Sequence, residues 1–163
     1  MKKAISNVSH LLPCSVVLLS VGNGKKKDAM TATSMFVSEN PPLFIVSVDR
    51  GHLTHSLIEE TGQFVLNIAS VGQAKLAMGL GSTHGDKVDK FKKFAIGTEK
   101  AKAVSAPIIK GSFASIECNV LTSFSVSTYT VYLASAGEFK VNDALTPLVW
   151  HFNRLYGVKN EVK

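Results

Sequence analysis

Two cysteines, five prolines, one tryptophan and 18% charged residues are few for a chain of 163. Cys14 and Cys118 lie far apart inside apolar segments. Two thiols cannot build a disulfide framework, and zinc-ligand spacing is absent around them. They fit the core of a protein from a reducing compartment, so a cytoplasmic location is expected. The five histidines (His10, His52, His55, His84 and His151) contain no His-Glu-x-x-His pair. His52 and His55 stand three apart without a third ligand, so no metal site is expected. A Gly-x-Ser-x-Gly elbow, a Gly-x-Gly-x-x-Gly turn and a Gly-Lys-Ser/Thr phosphate loop are all missing. Their absence argues against hydrolase chemistry and against a dinucleotide-binding fold of the usual kind. Long hydrophobic runs are missing too. Leu11–Val21 is too short to span a bilayer and is broken by Pro13 and two serines. Gly-Asn-Gly-Lys-Lys-Lys follows it instead of a small-residue cleavage site. The run is expected to be a first strand, with no membrane contact.

Apolar residues make up 45% of the chain, enough for one folded domain over residues 1–163 with a substantial core. So apolar a chain with so few charges also suggests surface covered by a partner, most simply a second copy in a homodimer. The net charge of +6 comes from scattered lysines: Lys25–Lys27, Lys87, Lys90, Lys92, Lys93, Lys100 and Lys102. They are not interleaved with an aromatic platform, so nucleic acid is not the expected partner.

Residues 14–21 form a β-branched apolar run that fits a buried strand. Gly22-Asn-Gly24 is a turn signal, and a second strand over Ala29–Val37 should return antiparallel. Asn40-Pro-Pro42 ends it, because proline lacks the ladder donor. A third strand covers Leu43–Val48. A helix over Thr54–Thr61 follows, with Leu53, Leu57 and Ile58 on one face and Gly62 as its stop. Phe64–Ala69 is another strand, Ser70-Val-Gly-Gln73 has capping-box spacing, and a short helix spans Gln73–Met78. Gly79–Gly85 looks like a mobile loop, Asp86–Phe94 a brief helix or turn, and Gly97–Ile109 a loop. Ala114–Thr122 alternates, with Ile116, Cys118 and Val120 inward and Ser115, Glu117 and Asn119 outward. Ser127–Val141 is a long strand broken near Gly137, and Leu145–Phe152 closes the fold. Many strands with few short helices point to a β-barrel with helical decorations.

The stretch Asp28–Thr54 carries the chemistry. Thr31, Thr33 and Ser34 are small and hydroxylic, leaving room for a flat ligand with a polar edge. Arg50 beside a helix start suits a phosphate, through a charge-assisted contact and the free amides near Thr54–Ser56. On the residues alone, a strand edge and a surface arginine explain the same pattern equally well.

The order of these features resembles the flavin reductase family, the FMN-binding split β-barrels that include flavoredoxins and two-component monooxygenase reductases. The matching pieces are Leu12-Pro13, Asp28-Ala-Met-Thr-Ala-Thr-Ser-Met-Phe-Val-Ser-Glu-Asn-Pro-Pro-Leu43 and Val48-Asp-Arg50 with Thr54. After them come Leu57-Ile-Glu-Glu-Thr-Gly-Gln-Phe-Val-Leu-Asn67, Asp86-Lys87, Ile116-Glu-Cys118, and Pro147-Leu-Val-Trp-His151 with Tyr156. They cover nearly the whole chain. The resemblance implies a mainly β fold: a Greek-key split β-barrel with a few short helices, homodimeric, holding non-covalent FMN near the subunit interface. By position, Met30, Thr31, Ala32, Thr33 and Ser34 would line the isoalloxazine and ribityl chain. Ser47, Val48, Asp49 and Arg50, with Thr54, His55 and Ser56, would hold the ribityl and phosphate. Lys87 would approach from a neighbouring segment or the other subunit, and His151 would lie near the nicotinamide. No catalytic acid or base is implied.

The implied activity is an oxidoreductase passing electrons from NADH or NADPH through FMN to a flavin, a protein or a metal acceptor. Two alternatives remain at this point: a flavoredoxin-like electron carrier reduced by a redox partner protein, and a non-catalytic ligand- or nucleic-acid-binding barrel.

Overall fold

The computed structural model describes residues 8–158. After a 3-10 turn at Val8–Leu11 come β1 (Cys14–Ser15), β2 (Val17–Gly22), β3 (Lys27–Ala32), β4 (Ser34–Glu39) and β5 (Pro42–Asp49). Helix α1 (Leu53–Thr61), β6 (Gln63–Ile68), a 3-10 turn (Val71–Gln73), α2 (Ala74–Gly81) and α3 (Lys90–Lys93) follow. The chain finishes through β7 (Thr98–Glu99), β8 (Ile108–Ile109), β9 (Ala114–Val126), β10 (Tyr129–Val141), β11 (Leu148–His151) and β12 (Arg154–Gly157).

Seven strands form one antiparallel sheet in the order β3-β2-β6-β9-β10-β5-β4. Its two edge strands, β3 and β4, are consecutive in the chain and separated only by Thr33. Laid flat, the edges of seven strands would be roughly 28 Å apart at the usual strand spacing, and one residue bridges less than about 4 Å. The sheet must therefore curl until its edges meet, giving a barrel that is split where β3 and β4 part. The single strand expected over Ala29–Val37 is thus two strands that pair on opposite sides, with Ala32 on β2 and Ser34 on β5.

Strand β2 is buried along its whole length because both of its faces are covered. Val17, Leu19 and Val21 point into the barrel with Val46, Val48, Phe64, Leu66 and Tyr132, and Leu57 and Ile58 of α1 join them. Val16 and Leu18 point the other way, onto Ala77, Leu80, Phe91 and Leu148. Helix α1 stops at Gly62, whose φ of 64° and N–H to the Ile58 carbonyl form a left-handed cap. The capping-box spacing also operates: the Gln73 side chain accepts from the Ser70 N–H at 3.1 Å.

Three expectations need correction. Gly97–Ile109 is not featureless loop, since it contributes the two-stranded β7–β8 sheet. Ser115 and Glu117 do not face solvent; both are buried. The Glu117 carboxylate accepts the backbone N–H of Lys102, Ala103 and Val104, so one strand residue organises the segment laid over it. Alternation could not reveal this second covering layer. Finally, the glycine- and serine-rich segment is partly helical, because α2 runs on to Gly81. The closing segment forms β11, which pairs with β1 and β12 in a separate small sheet.

Candidate functional site

The split at Thr33 opens cavities on two sides. One, of about 340 Å³, is lined by Val16, Thr31, Ala32 and Thr33, by Ala77, Met78, Gly81 and Ser82 around α2, and by Trp150 and Leu155. The other, of about 520 Å³, lies between Leu12–Ser15 and β4 and reaches the barrel residues Val17, Phe44, Leu66 and Ile116. Thr33 borders both. The first is walled by an indole, aliphatic groups and a few hydroxyls, a lining that suits a planar aromatic ring.

The hydroxyls predicted to meet a ligand are also working within the fold. Thr31 donates to the Ala77 carbonyl of α2, and Ser34 donates to the Ile45 carbonyl at 2.9 Å. Their protons are spent there, so toward a ligand these oxygens act as acceptors. Thr33 is exposed at the junction. Met30 and Ala32 pack against the barrel core; Ala32 also reaches the smaller cavity, whereas Met30 does not line it.

From Ser34 the site extends along β5. Ser34 pairs with Val46, and Arg50 lies four residues on, roughly 13 Å at the usual rise per residue. Ser47 is exposed between them, while Val48 is fully buried in the barrel and offers only backbone. Arg50, exposed in the turn after β5, reaches across to the tip of the β9–β10 hairpin. Its Nε donates to the Thr128 carbonyl at 3.3 Å and Nη2 donates to the Ser127 carbonyl. Two of its five N–H groups are thereby used and the fork is oriented, leaving the rest for an anion. Asp49 is its brace, accepting from the Gly51 N–H at 2.8 Å and from the Thr128 hydroxyl at 3.0 Å. These two bonds, the backbone one foremost, hold the Asp49 carboxyl below its ordinary value of 3.8.

Helix α1 starts directly after this turn, but the His55 and Ser56 amides already donate to the His52 carbonyl at 3.0 and 3.4 Å. Of the amides expected near Thr54–Ser56, that of Thr54, with Leu53 beside it, is left for an anion. The expected ligands diverge here. Ser56 is exposed. His55 is half-buried, with Nε2 at 2.9 Å from the Thr130 hydroxyl. Thr54 is fully buried and donates to Asp28 Oδ2 at 2.7 Å, so its hydroxyl belongs to the interior rather than to the turn's surface. Lys87 is exposed on the loop between α2 and α3. That loop reaches the α1 start within the same chain, because the His84 ring meets the His52 ring edge-on at 5.4 Å. His151 lies apart from these groups, on β11 beside Trp150, with its ring 4.2 Å from that of Phe152.

Sequence reasoning missed Trp150, Leu155 and the α2 wall as partners of Thr31–Thr33. Trp150 had one legible signal, its place two residues after Leu148 on a strand whose buried side faces α2. Among the described residues, no group of three His, Cys, Asp or Glu side chains could hold a metal ion. No helix among them is long and apolar enough to cross a membrane.

The arrangement is therefore a ring-sized apolar cavity at Thr33 and, about 13 Å along β5 from the Ser34–Val46 pair, a turn that carries the Arg50 fork. A family model, the flavin reductase like domain, matches residues 9–159. The chain belongs to this family. Among curated relatives, the FMN reductase (NADH) RutF of Variovorax paradoxus is 23% identical over 151 residues, covering 92% of this chain and 81% of its own. Among solved structures, the flavoredoxin of Desulfovibrio vulgaris (Miyazaki F) superposes with a TM-score of 0.88 at 20% identity, covering 100% of this chain and 96% of that one. The Streptomyces globisporus NADH:FAD oxidoreductase superposes with a TM-score of 0.85 at 23% identity, covering 94% and 90%. The split barrel expected for the fold is the one these neighbours share.

Proposed function

We propose that this protein is an NAD(P)H-dependent flavin reductase that holds FMN along Thr31–Ser34 and Ser47–Ser56. The observation that carries the reading is the spacing between the indole-walled cavity at Thr33 and the pre-oriented Arg50 fork at the far end of β5, about 13 Å of strand from the Ser34–Val46 pair. A flat ring and a phosphate joined by a flexible chain need that pairing at about that spacing. FMN, when bound, supplies the chemistry of accepting hydride from a nicotinamide and passing electrons on to a flavin, a protein or a metal acceptor.

The protein's part is binding and orientation. Trp150, Met78 and the Thr31–Thr33 backbone confine the ring and exclude water from one side of it. The Thr31 and Thr33 oxygens are placed at its polar edge. Arg50, the amides opening α1, and Lys87 neutralise the phosphate. His151 is the candidate contact for the nicotinamide. No side chain must give or take a proton for hydride transfer itself.

The same reading covers the large apolar side chains left exposed on the sheet. Met35, Phe36 and Val37 on β4, Leu121 and Phe124 on β9, and Phe139 on β10 are each 48–72% exposed. Large apolar side chains left in solvent in this number call for a cover, and a second copy of the chain is the proposed one. The one-domain organisation over residues 1–163 and the cytoplasmic location suggested by the two free cysteines belong to this proposal as well.

Trp150 is the only tryptophan, so its fluorescence reports the cavity. Adding FMN should quench it in a saturable titration, and sedimentation should give twice the mass of one chain. Unchanged emission at saturating FMN would sink the placement of the ring.

A further inference from the structure

Asp28 lies inside β3 with 2% of its surface exposed. A carboxylate so placed is costly unless it is paired and hydrogen-bonded. Its partners come from three separate segments. Thr54, in the first turn of α1, donates to Oδ2 at 2.7 Å. Lys90 of α3, also 2% exposed, places Nζ 3.1 Å from Oδ1 and 3.2 Å from Oδ2, and its third contact is the Ala29 carbonyl at 2.6 Å. The third segment is the loop before α3, whose backbone lies on the carboxylate at Gly85. A Cβ there would fall 2.6 Å from Asp28 Cγ and 2.7 Å from Oδ2, closer than atoms tolerate, and the carboxylate cannot swing away while Lys90 and Thr54 hold it. Immediately before Gly85 is His84, whose ring touches His52. Two residues after it is Lys87, whose N–H reaches the His84 carbonyl at 3.4 Å.

A buried ion pair that served stability alone would need Asp28 and Lys90 but no glycine contact. We infer that Asp28, clamped by Lys90 and Thr54, is a positioning residue that seats the His84–Lys87 loop against the start of α1, joining the two halves of the phosphate site. The inference rests on the flavin reading above. Its consequence is selective: disturbing the clamp weakens binding of the phosphate and leaves binding of the ring alone.

The test compares FMN with riboflavin, which has the ring and ribityl chain without the phosphate, each titrated by quenching of Trp150. The native protein prefers FMN. Gly85→Ala lowers that preference about tenfold, the size of one lost charge-assisted contact, with riboflavin affinity unchanged. The double variant Asp28→Ala/Lys90→Met, which removes the clamp without stranding a charge, loses the same preference. Adding Gly85→Ala to it costs nothing more, because the clash partner has gone. A folded Gly85→Ala protein that keeps the native preference overturns the inference. Should that variant not fold, an unchanged preference in Asp28→Ala/Lys90→Met overturns it equally. Equal affinity of the native protein for FMN and riboflavin is a different failure, which removes the phosphate site and this inference with it.

Discussion

Replacing Arg50 with alanine removes one group at the surface and should leave the barrel intact, because the side chain is exposed. The Arg50 backbone N–H still reaches the Thr128 carbonyl at 2.9 Å, so the hairpin tip keeps its main tie to β5. What is lost is the fork. A hydrogen bond to a charged group contributes about 1.5–3 kcal/mol, which corresponds to about 10–150-fold in the FMN dissociation constant. The structure argues for the upper part of that range. The guanidinium is already held by the Ser127 and Thr128 carbonyls, so little of its freedom remains to be lost when a phosphate arrives. Arg50→Lys should recover only part of the affinity, since an ammonium cannot hold two carbonyls and an anion in one plane. Calorimetric titration with FMN and with riboflavin separates the contributions. Riboflavin affinity should stay within about twofold, given that it offers no phosphate for the fork to hold. Equal losses for both flavins, or no loss for either, would refute the assignment of Arg50 to the phosphate.

Stability gives a second handle. Lys90→Met strands the buried Asp28 carboxylate and should cost about 3–5 kcal/mol, or about 6–20 °C in the thermal midpoint for a chain of this size. Asp28→Ala/Lys90→Met should cost less, and a single variant no less stable than the double one in thermal circular dichroism would contradict this. Burial pushes the Cys118 thiol up to about 12, so at pH 8 it should ignore a thiol reagent until guanidinium unfolds the protein. Two thiols reacting in the native state would be inconsistent with its position. The Asp49 carboxyl should titrate below 3.8 by NMR, because its bonds favour the charged form. Its support for the Arg50 turn is accordingly complete above that ordinary value and fades as pH falls through the lowered one. A midpoint at or above 3.8 would mean that the turn does not brace Asp49.

Local patterns in the sequence carried much of the fold. The Gly62 stop and the Ser70–Gln73 spacing each act over one turn and are found in place, whereas the run 14–21 divides at Val16, with Cys14–Ser15 joining the small sheet and Val17–Gly22 the large one. What stayed illegible depends on closure. Nothing in Ala29–Val37 says that pairing changes sides at Thr33, because both halves satisfy the same local preferences. The burial of Glu117 needs a segment about fifteen residues earlier to fold over it. For the site, Arg50 and the Thr31–Ser34 stretch stood out because their residue types suit a phosphate and a flat ring. Thr54 was read as a ligand for the same reason, yet its hydroxyl turns inward to Asp28. Asp28 and Lys90 are sixty-two positions apart, and only the folded chain makes them partners. Trp150 joins Thr33 through pairing of β11 with β1, which alternation within β11 alone cannot show.

The measurement closest to the central claim is anaerobic mixing of the FMN-loaded protein with NADH and, separately, with NADPH, followed through the visible flavin band. Rapid bleaching is expected with at least one coenzyme, at a rate that saturates as coenzyme is raised. An oxidised spectrum that persists with both, in protein shown to hold FMN, would contradict it and leave an electron carrier reduced by another protein.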